Sequence, residues 1–308
     1  MTPRHWAVVL ALIAAAATGA FGLRAATVGS DAARRFFRHP TAAFAVGALL
    51  FFVLVAVCAP LVAPYDPSAQ LEIVRLQNRP PSWTHPLGTD LYSRDLLSRL
   101  VFGARVSLAV GALAMLVAVS LGTAVGLLAG YFRRWVDGVL MRLVDVGLAV
   151  PRIFLLLMAV ALWSQLPLAI LVLTIGLTGW FATSRLVRAE VLSLRELAYV
   201  DAARALGAPP ARVIFRHVLP NALAPLIVSA ALGIGNVMLL EASLSFLGIG
   251  VAPPTSSWGN MIADGKEQIA TAPWTTLSPG LAIALVVMAL NAVGDALRDA
   301  LDPRREAT

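Results

Sequence analysis

The feature that most limits how this chain can fold is its series of long apolar runs. Val106–Tyr131 and Ala222–Leu247 each reach the roughly 20 predominantly apolar residues that a helix needs to cross the hydrocarbon core of a bilayer, about 30 Å thick. Hydrophobic residues make up 59% of the 308 positions and charged residues 13%, whereas soluble domains average about 45–50% and about 25%. A soluble fold of this size could not cover so much apolar surface. The sequence therefore predicts an all-α integral membrane protein.

The charges between the apolar runs indicate the direction of each span. Arginine-rich segments precede the first run, separate the second from the third and the fourth from the fifth, and follow the sixth. Because cytoplasmic loops are enriched in Lys and Arg, we expect both ends of the bundle in the cytoplasm. The net charge of +7 then needs no nucleic acid partner to explain it. The predicted spans are Ala42–Val62, Val106–Tyr131, Val144–Trp163, Leu168–Leu186, Ala222–Leu247 and Leu277–Leu297.

Residues 1–30 precede this bundle and contain a further apolar run, Trp6–Leu23. The run is an extra span with its N-terminus outside, an uncleaved leader, or translated sequence upstream of the true start, and the residues leave these alternatives open. Residues 31–105 hold the first span and an extracytoplasmic segment, and residues 106–305 form a transmembrane domain with a cytoplasmic loop at 188–220. The single cysteine, Cys58, has no partner for an intrachain disulfide.

Three glycines recur at a spacing of four residues in the second predicted span. They are Gly122, Gly126 and Gly130. On a helix, this spacing produces a groove in which another backbone can approach closely. The pattern predicts helix packing along this face, and it leaves open whether the neighbour belongs to the same chain.

Charged residues are interspersed with apolar ones in the segment between the first two spans, HPLGTDLYSRDLLSRLVFGAR (85–105). Asp90 with Arg94, and Asp95 with Arg99, are spaced i,i+4, which supports a helix through ion pairs. Leucine and valine supply an apolar side. The segment is therefore predicted to be an amphipathic helix that lies along the outer face of the membrane.

A charged and twice-interrupted segment, YVDAARALGAPPARVIFRHVLPN, occupies Tyr199–Asn221 between the fourth and fifth spans. Apolar and small residues at helical spacing predict a helix from 194 to Gly207, since glycine readily takes the left-handed conformation of a helix terminus. Pro209-Pro210 then opens a second helix that runs to about residue 219. In this elbow Ala203 and Gly207 lie one turn apart, so a partner could approach the backbone closely. The elbow is either a docking surface that passes movement into the fourth and fifth spans or an ordinary solvated loop.

The sequence DAARALG, followed nine residues later by HVLP, resembles the EAA signature of permease subunits in bacterial ABC importers. In that family the signature shapes the helix that docks in a groove of the ATPase. The positions that match are Asp201, Ala202, Ala203, Gly207, Leu219 and Pro220. Asp201 replaces the usual glutamate and preserves its charge, and His217 stands where the broad family often has an aliphatic residue.

The resemblance extends from about Arg34 to Arg305 and excludes residues 1–30. HPLGTD…SRDLLSRLVFGARVSL, EASLSFLGIGVAPPTSSWGNMIADG and NAVGDALRDALDPR look like the dipeptide, oligopeptide and nickel branch, specifically its second permease. Ser93 occupies a position where relatives usually have glycine, and a helical turn there would tolerate either residue.

The resemblance implies a six-span ABC importer permease fold, with one extra N-terminal helix if residues 1–30 form a span, in the bacterial inner membrane. It implies four kinds of partner: a homologous permease, two ATPase domains, an extracytoplasmic binding protein and a peptide substrate. The binding protein would dock on Pro64–Arg105 and Gly250–Pro273. ATP would be used by the partner subunits, with no cofactor on this chain. A permease for nickel or another small solute, and a stand-alone secondary transporter, are the rival interpretations.

Several polar residues fall within or at the ends of the predicted spans, where ionisable groups usually face a cavity or pair within the bundle. Asn236 and Glu241 are the candidates for a translocation path or gate, and interhelical hydrogen bonding is the alternative role. Asp145 and Asp295 could act as an intramembrane hydrolase if they shared a proton. The sequence has no zinc-protease motif, no nucleophile elbow and no phosphate-binding P-loop. We therefore expect a chain that is not itself an enzyme.

Overall fold

A computed structural model describes residues 3–26, 31–162 and 167–301 of the chain. Over these ranges the regular structure is helical, and Thr89 and Asp95 form an isolated antiparallel β-bridge. The α-helices are α1 (Pro3–Ala26), α2 (Asp31–Phe36), α3 (Pro40–Val57), α4 (Ala59–Val62), α5 (Leu96–Phe132), α6 (Arg134–Ala149), α7 (Arg152–Ala161), α8 (Leu168–Leu194), α9 (Ala198–Ala205), α10 (Pro210–Val213), α11 (Leu219–Phe246), α12 (Trp258–Gly265) and α13 (Trp274–Leu301). A π-helical segment, Ile214–Val218, joins α10 to α11, and a 3₁₀ turn, Lys266–Gln268, follows α12.

Six helices within the described ranges are long and apolar enough to cross a membrane. They are His5–Leu23, Pro40–Val57, Leu96–Phe132, Leu168–Leu194, Pro210–Phe246 and Trp274–Leu301. Five of them overlap the first, second, fourth, fifth and sixth predicted spans. The prediction of an all-helical protein with several membrane spans is therefore confirmed.

The third predicted span, Val144–Trp163, is wrong as a single helix. α6 ends at Ala149, Val150 is extended with ψ of 125°, and α7 begins at Arg152. Pro151 causes this break, because proline lacks a backbone N–H and disfavours the helical conformation of the residue before it. Trp163 lies outside the described residues.

The extra N-terminal helix is present as α1. Leu12 of α1 is buried in one apolar cluster with Val55 of α3 and Ala59 of α4. A Cβ atom on Gly47 of α3 would lie 3.5 Å from that of Ala20. α1 therefore packs along α3, with a small residue at the closest approach.

The described residues group into two compact units. The first is drawn from Met1–Gly111, Gln165–Leu171 and Ile234–Thr308, and the second from Ala112–Ser164 and Val172–Gly233. Each unit has its own apolar core.

The core of the first unit is centred on Trp258, which is 1% exposed. Its ring meets the edge of Phe52 at a centroid distance of 5.6 Å. Its Nε1 donates to the Leu100 carbonyl oxygen at 2.9 Å, and its backbone N–H donates to Ser107 Oγ at 3.1 Å. α12 is therefore held against α3 and the first turns of α5.

The glycine groove of α5 is filled by α8 in the second unit. A Cβ atom on Gly122 would lie 2.6 Å from Thr183 Cβ, one on Gly126 would lie 2.7 Å from the Ser184 carbonyl oxygen, and one on Gly130 would lie 2.8 Å from Val191 Cβ. These distances are too short for any side chain. The predicted groove is confirmed, and the neighbouring helix belongs to the same chain.

The predicted amphipathic helix over 85–105 is wrong for its first half. Residues 85–95 form turns and the isolated bridge, and the helix that begins at Leu96 continues without a break into the second span. Ser93 has a φ of +59°, in the left-handed region that glycine adopts most easily, so the expected helical turn at this position is also wrong. Its hydroxyl donates to the Ile73 carbonyl oxygen at 2.9 Å, which holds the turn in place.

A buried charge network explains why this segment folds as turns. The Asp90 carboxylate accepts from Arg94 at 2.7 Å, as the spacing predicted, but also from Arg99 at 2.6 Å. Arg94 and Arg99 both reach Asp264 of α12, at 2.7 and 2.9 Å. Asp95 does not pair with Arg99, because its carboxylate accepts from Ser98 and bonds to the ring of His85 at 2.9 Å. The network therefore joins the segment before α5 to α12.

Candidate functional site

The elbow between the fourth and fifth spans begins with α9, which ends in a Schellman motif. The Gly207 N–H donates to the Arg204 carbonyl oxygen at 2.9 Å, and the Ala208 N–H donates to the Ala203 carbonyl oxygen at 3.1 Å. Gly207 has a φ of +83°, which satisfies the backbone requirement of this motif. The predicted helix end at Gly207 is confirmed.

The start of the same helix differs from the prediction. α8 ends at Leu194, Leu197 is extended with ψ of 141°, and α9 begins only at Ala198. Arg195, in the intervening turn, donates to the Tyr131 carbonyl oxygen at the end of α5, at 2.6 Å. This tertiary bond fixes the chain direction between the helices, and local helical spacing gave no sign of it.

The second helix of the elbow runs directly into the fifth span. α10 begins at Pro210, where the missing N–H costs no helical bond, and α10, the π segment and α11 form one continuous helix to Phe246. Pro220 has no backbone N–H, so one hydrogen bond of the helix is missing there. The π-helical segment Ile214–Val218 lies at this point and widens the helix around the missing bond. The predicted end of this helix near residue 219 is therefore wrong, and the elbow continues into the span without a joint.

A compact apolar core fastens the elbow to the rest of the second unit. Val200 of α9, Val213 of α10 and Val218 of the π segment are each 0% exposed. They share one cluster with Leu127 of α5 and Val191 of α8. Any displacement of the elbow must therefore also displace the ends of α5 and α8.

Two arginines reinforce this junction around the ring of Tyr131. The guanidinium carbons of Arg195 and Arg204 lie 5.9 and 5.3 Å from the ring centroid, within the range of a cation–π interaction. Arg204 also donates to the Arg195 carbonyl oxygen at 3.3 Å, which ties α9 to the end of α8. Partial burial, with repulsion from neighbouring arginines, lowers the pKa of the Arg195 guanidinium from its ordinary value. The side chain still carries its charge at neutral pH.

The opposite side of the elbow is open and partly apolar. Leu206 is 89% exposed and Phe215 is 66% exposed. A Cβ atom on Gly207 would meet no heavy atom within 4 Å. The elbow thus presents a protruding leucine beside bare backbone, on a base that is rigidly packed.

The seven residues predicted to couple the elbow to an ATPase are distributed over this open side and its edge. Four are exposed, namely Asp201, Ala202, Gly207 and Pro220, and three are half-buried, namely Ala203, His217 and Leu219. Asp201 accepts from Arg204 at 3.2 Å within the same helix. The His217 carbonyl oxygen accepts from Asn221 Nδ2 at 2.7 Å. Both hydrogen bonds are local to their own helices.

Glu241 lies in a closed site, with 1% exposure. Its Oε1 accepts from Ser245 Oγ at 2.7 Å and from Ser257 Oγ at 3.0 Å, while its Oε2 has no hydrogen-bond partner. Ser257 is also the N-cap of α12, where its side chain accepts from the Asn260 N–H. Glu241 therefore links α11 to the start of α12.

The structure does not bring the two proposed path residues together. Asn236 is exposed on α11, whereas Glu241 is buried on a different face of the same helix. Asp145 pairs with Arg185 at 2.5 Å, and Asp295 is exposed. Among the described residues, no three His, Cys, Asp or Glu side chains are grouped closely enough to hold a metal ion.

Comparison with known proteins adds an independent line of evidence. Residues 122–307 match the family described as binding-protein-dependent transport system inner membrane component, and residues 27–81 match the N-terminal transmembrane domain of oligopeptide transport permease C. The chain belongs to this family of inner membrane transport components.

Several relatives of this permease component are similar over most of their length. A dipeptide transport system permease protein of Alkalihalophilus pseudofirmus is 45% identical, over 83% of each chain. A di/tripeptide transport system permease protein of Pseudomonas aeruginosa is 44% identical, over 84% of this chain and 88% of its own. A glutathione transport system permease protein of Pectobacterium atrosepticum is 40% identical, over 88% and 89%.

The fold of the permease component also matches a solved transporter. The inward-facing MetNI methionine ABC transporter aligns with a TM-score of 0.56 and 19% identity, over 67% of this chain and 98% of that chain. At this identity the match shows the fold alone. The predicted ABC importer permease fold and the multi-pass location in the bacterial inner membrane are confirmed.

Sequence reasoning missed two residues of interest in this permease component. Leu206 was overlooked beside Gly207, because a single apolar residue in a charged segment gives no signal until the structure shows that it is 89% exposed. Arg152 was overlooked near the middle of the third predicted span, where a charged residue indicates a functional role by default.

Proposed function

We propose that this chain is one of two homologous permease subunits of an ATP-driven importer, and that it translocates di- or oligopeptides delivered by an extracytoplasmic binding protein. Relatives named for dipeptide, di/tripeptide and glutathione transport support the substrate class. The chain acts as a conduit and not as an enzyme, and ATP is hydrolysed by two partner ATPase domains.

The geometry of the elbow is the observation that carries this proposal. An exposed Leu206 next to a Gly207 without neighbours forms a protrusion that a groove on a soluble partner can enclose. Burial of a leucine side chain contributes roughly 1.5–3 kcal/mol. The packed base formed by Val200 and Val213 keeps the protrusion in a fixed position.

The mechanism is alternating access driven from the cytosol. When the ATPase domains close on ATP, they displace the docked elbow, and the continuous helix Pro210–Phe246 carries the movement into the membrane. The shared core transfers the same movement to α5 and α8. At the outer side, the binding protein docks on Pro64–Arg105 and Gly250–Pro273.

The test is uptake by the complete transporter in proteoliposomes, with radiolabelled dipeptide or nickel supplied with the binding protein. We expect ATP-dependent accumulation of peptide. Nickel uptake without peptide uptake would contradict the substrate class, and uptake that persists without the ATPase subunits would contradict the importer.

A matched pair of variants tests the elbow. Gly207→Trp and Gly207→Ala share the backbone cost of a positive φ, about 1–2 kcal/mol, but only tryptophan adds bulk on the docking side. We expect Gly207→Trp to assemble in the membrane yet hydrolyse ATP without transport, and Gly207→Ala to retain coupled transport. Wild-type transport by Gly207→Trp would refute docking at this position.

A further inference from the structure

The geometry points to a carboxylate-binding site at Arg152, in the break between α6 and α7. The site would receive the C-terminal carboxylate of the transported peptide, and this inference rests on the proposed function. Discontinuous membrane helices form the substrate sites of many transporters, since irregular backbone within the membrane is tolerated where it lines a cavity.

The break opens a cleft of about 180 Å³ within the second unit. Its lining includes the broken backbone at Val150 and Pro151, the apolar Leu155 of α7, and Thr178 and Gly179 of α8. Among the described residues that line this cleft, Arg152 is the only charged one. A cleft of this size can hold the end of a peptide rather than a whole ligand, since ligand pockets usually enclose about 300–1,000 Å³.

Two neighbours hold the guanidinium in a defined orientation. Its Nη2 donates to the Ile175 carbonyl oxygen at 2.7 Å, and its Nε donates to Thr178 Oγ1 at 3.3 Å. A Cβ atom on Gly179 would lie 3.0 Å from Nη2, so the absence of a side chain there makes room for the group. An arginine has five N–H donors, and a carboxylate takes two of them in the bidentate arrangement.

The contrast with the other arginines between α6 and α8 indicates that a counter-ion is missing. Arg188 binds Asp137 at 2.5 Å, and Arg185 binds Asp145 at 2.5 Å. Gly179, which lies beside Arg152, is six residues along α8 from Arg185, or about 9 Å from that ion pair. Among the described residues, no carboxylate lies within 4.0 Å of the Arg152 guanidinium, the limit for an ion pair. The Ile175 carbonyl oxygen and the Thr178 hydroxyl are neutral partners, so they leave the charge of Arg152 without a counter-ion.

The substrate is the natural source of that partner. Every linear peptide with a free C-terminus carries a C-terminal carboxylate, so a single arginine can engage di- and oligopeptides of any sequence. The apolar residues in the lining lower the local dielectric constant and so strengthen an ion pair. A lipid phosphate offers similar anionic oxygens, and the experiment below separates the two sources.

The test compares uptake of trialanine and trialanine amide by the whole transporter in proteoliposomes, with Arg152→Gln against Arg185→Gln. The variants share one binding protein, so its own preference cancels from the comparison. We expect Arg152→Gln to lower the ratio of acid to amide uptake by about tenfold or more, because a charge-assisted bidentate pair is lost. Arg185→Gln should leave the ratio unchanged, since the partner of Arg185 lies within the chain.

Three outcomes would overturn the inference. Equal effects of Arg152→Gln on acid and amide would show a structural role. An effect that appears in phosphatidylglycerol vesicles but not in phosphatidylcholine vesicles would assign Arg152 to the headgroup of an anionic lipid. If the wild-type transporter accumulated neither peptide, the proposed function itself would be contradicted. This failure is distinguishable from the first two, because they require wild-type uptake.

Discussion

Substitution of Gly126 by alanine tests the packing that holds the second unit together. The added Cβ would lie 2.7 Å from the Ser184 carbonyl oxygen and 2.7 Å from Val187 Cβ. Both neighbours belong to α8, and neither is the far end of a flexible side chain. The helices must therefore move apart along the groove.

The expected size of the effect follows from two opposing contributions. Overpacking of a close-packed interface costs about 1–3 kcal/mol. Replacement of glycine by alanine within a helix returns about 0.5–1 kcal/mol. We therefore expect Gly126→Ala to lower the free energy of unfolding by roughly 1 kcal/mol.

Gly138→Ala is the matched control, because a Cβ atom on this α6 glycine would meet nothing within 4 Å. That variant should gain about 0.5–1 kcal/mol. The measurement is SDS-induced unfolding of the purified full chain in mixed micelles, followed by tryptophan fluorescence. If Gly126→Ala were as stable as Gly138→Ala, the close approach of α5 and α8 would be refuted.

Three further predictions concern the buried Glu241, the charge network around Asp264 and the exposed Leu206 of the elbow. Glu241→Ala should cost about 1–3 kcal/mol in SDS unfolding, since two buried serine hydroxyls lose their acceptor; no measurable loss would contradict this. Asp264→Ala should lower the free energy of unfolding by about 3 kcal/mol, because the buried charges of Arg94 and Arg99 lose a counter-ion. Arg75→Ala, at an exposed position, should change it by under about 1 kcal/mol, and equal losses would count against the network. Leu206→Asp should weaken co-purification of the ATPase roughly tenfold or more, whereas Val74→Asp, at an exposed extracytoplasmic position, should not; retention of the ATPase by the first would argue against docking.

The sequence predicts the features that depend on composition and short-range spacing. Apolar length identified five of the six spanning helices and marked Trp6–Leu23 as a possible sixth. The direction that the arginine distribution indicates stays a prediction. The groove at Gly126 followed from a spacing of four. The helix end at Gly207 followed from the conformational freedom of glycine, because both are local properties of the chain.

Features that depend on distant contacts escaped prediction. The i,i+4 spacing of Asp95 and Arg99 suggested an ion pair, but His85 and Asp264 compete for these groups and are brought near only by the fold. The turn before α9 depends on a bond from Arg195 to the end of α5. The break at Pro151 was readable from the residue itself, since proline inside an apolar run interrupts a helix.

The roles of individual charged residues also depended on distant contacts. The sequence singled out Glu241 because it is an acid within a predicted span, whereas in the structure its carboxylate accepts from two serine hydroxyls and so connects two helices. Arg152 needed the structure to reveal both its cleft and the glycine that makes room for it. Its role in substrate binding remains a prediction.

The most direct measurement of the central claim is site-specific cross-linking of the elbow in intact cells. Cys58 is the only cysteine in the chain, so a Cys58→Ala background allows a single new thiol at Leu206→Cys, with Ser68→Cys on the extracytoplasmic segment as the control. A cell-permeant thiol-to-amine cross-linker should join Leu206→Cys, and not Ser68→Cys, to the ATPase subunit. Cross-links from Leu206→Cys that reach only this chain, or no protein at all, would contradict the account of an elbow moved by a cytosolic ATPase.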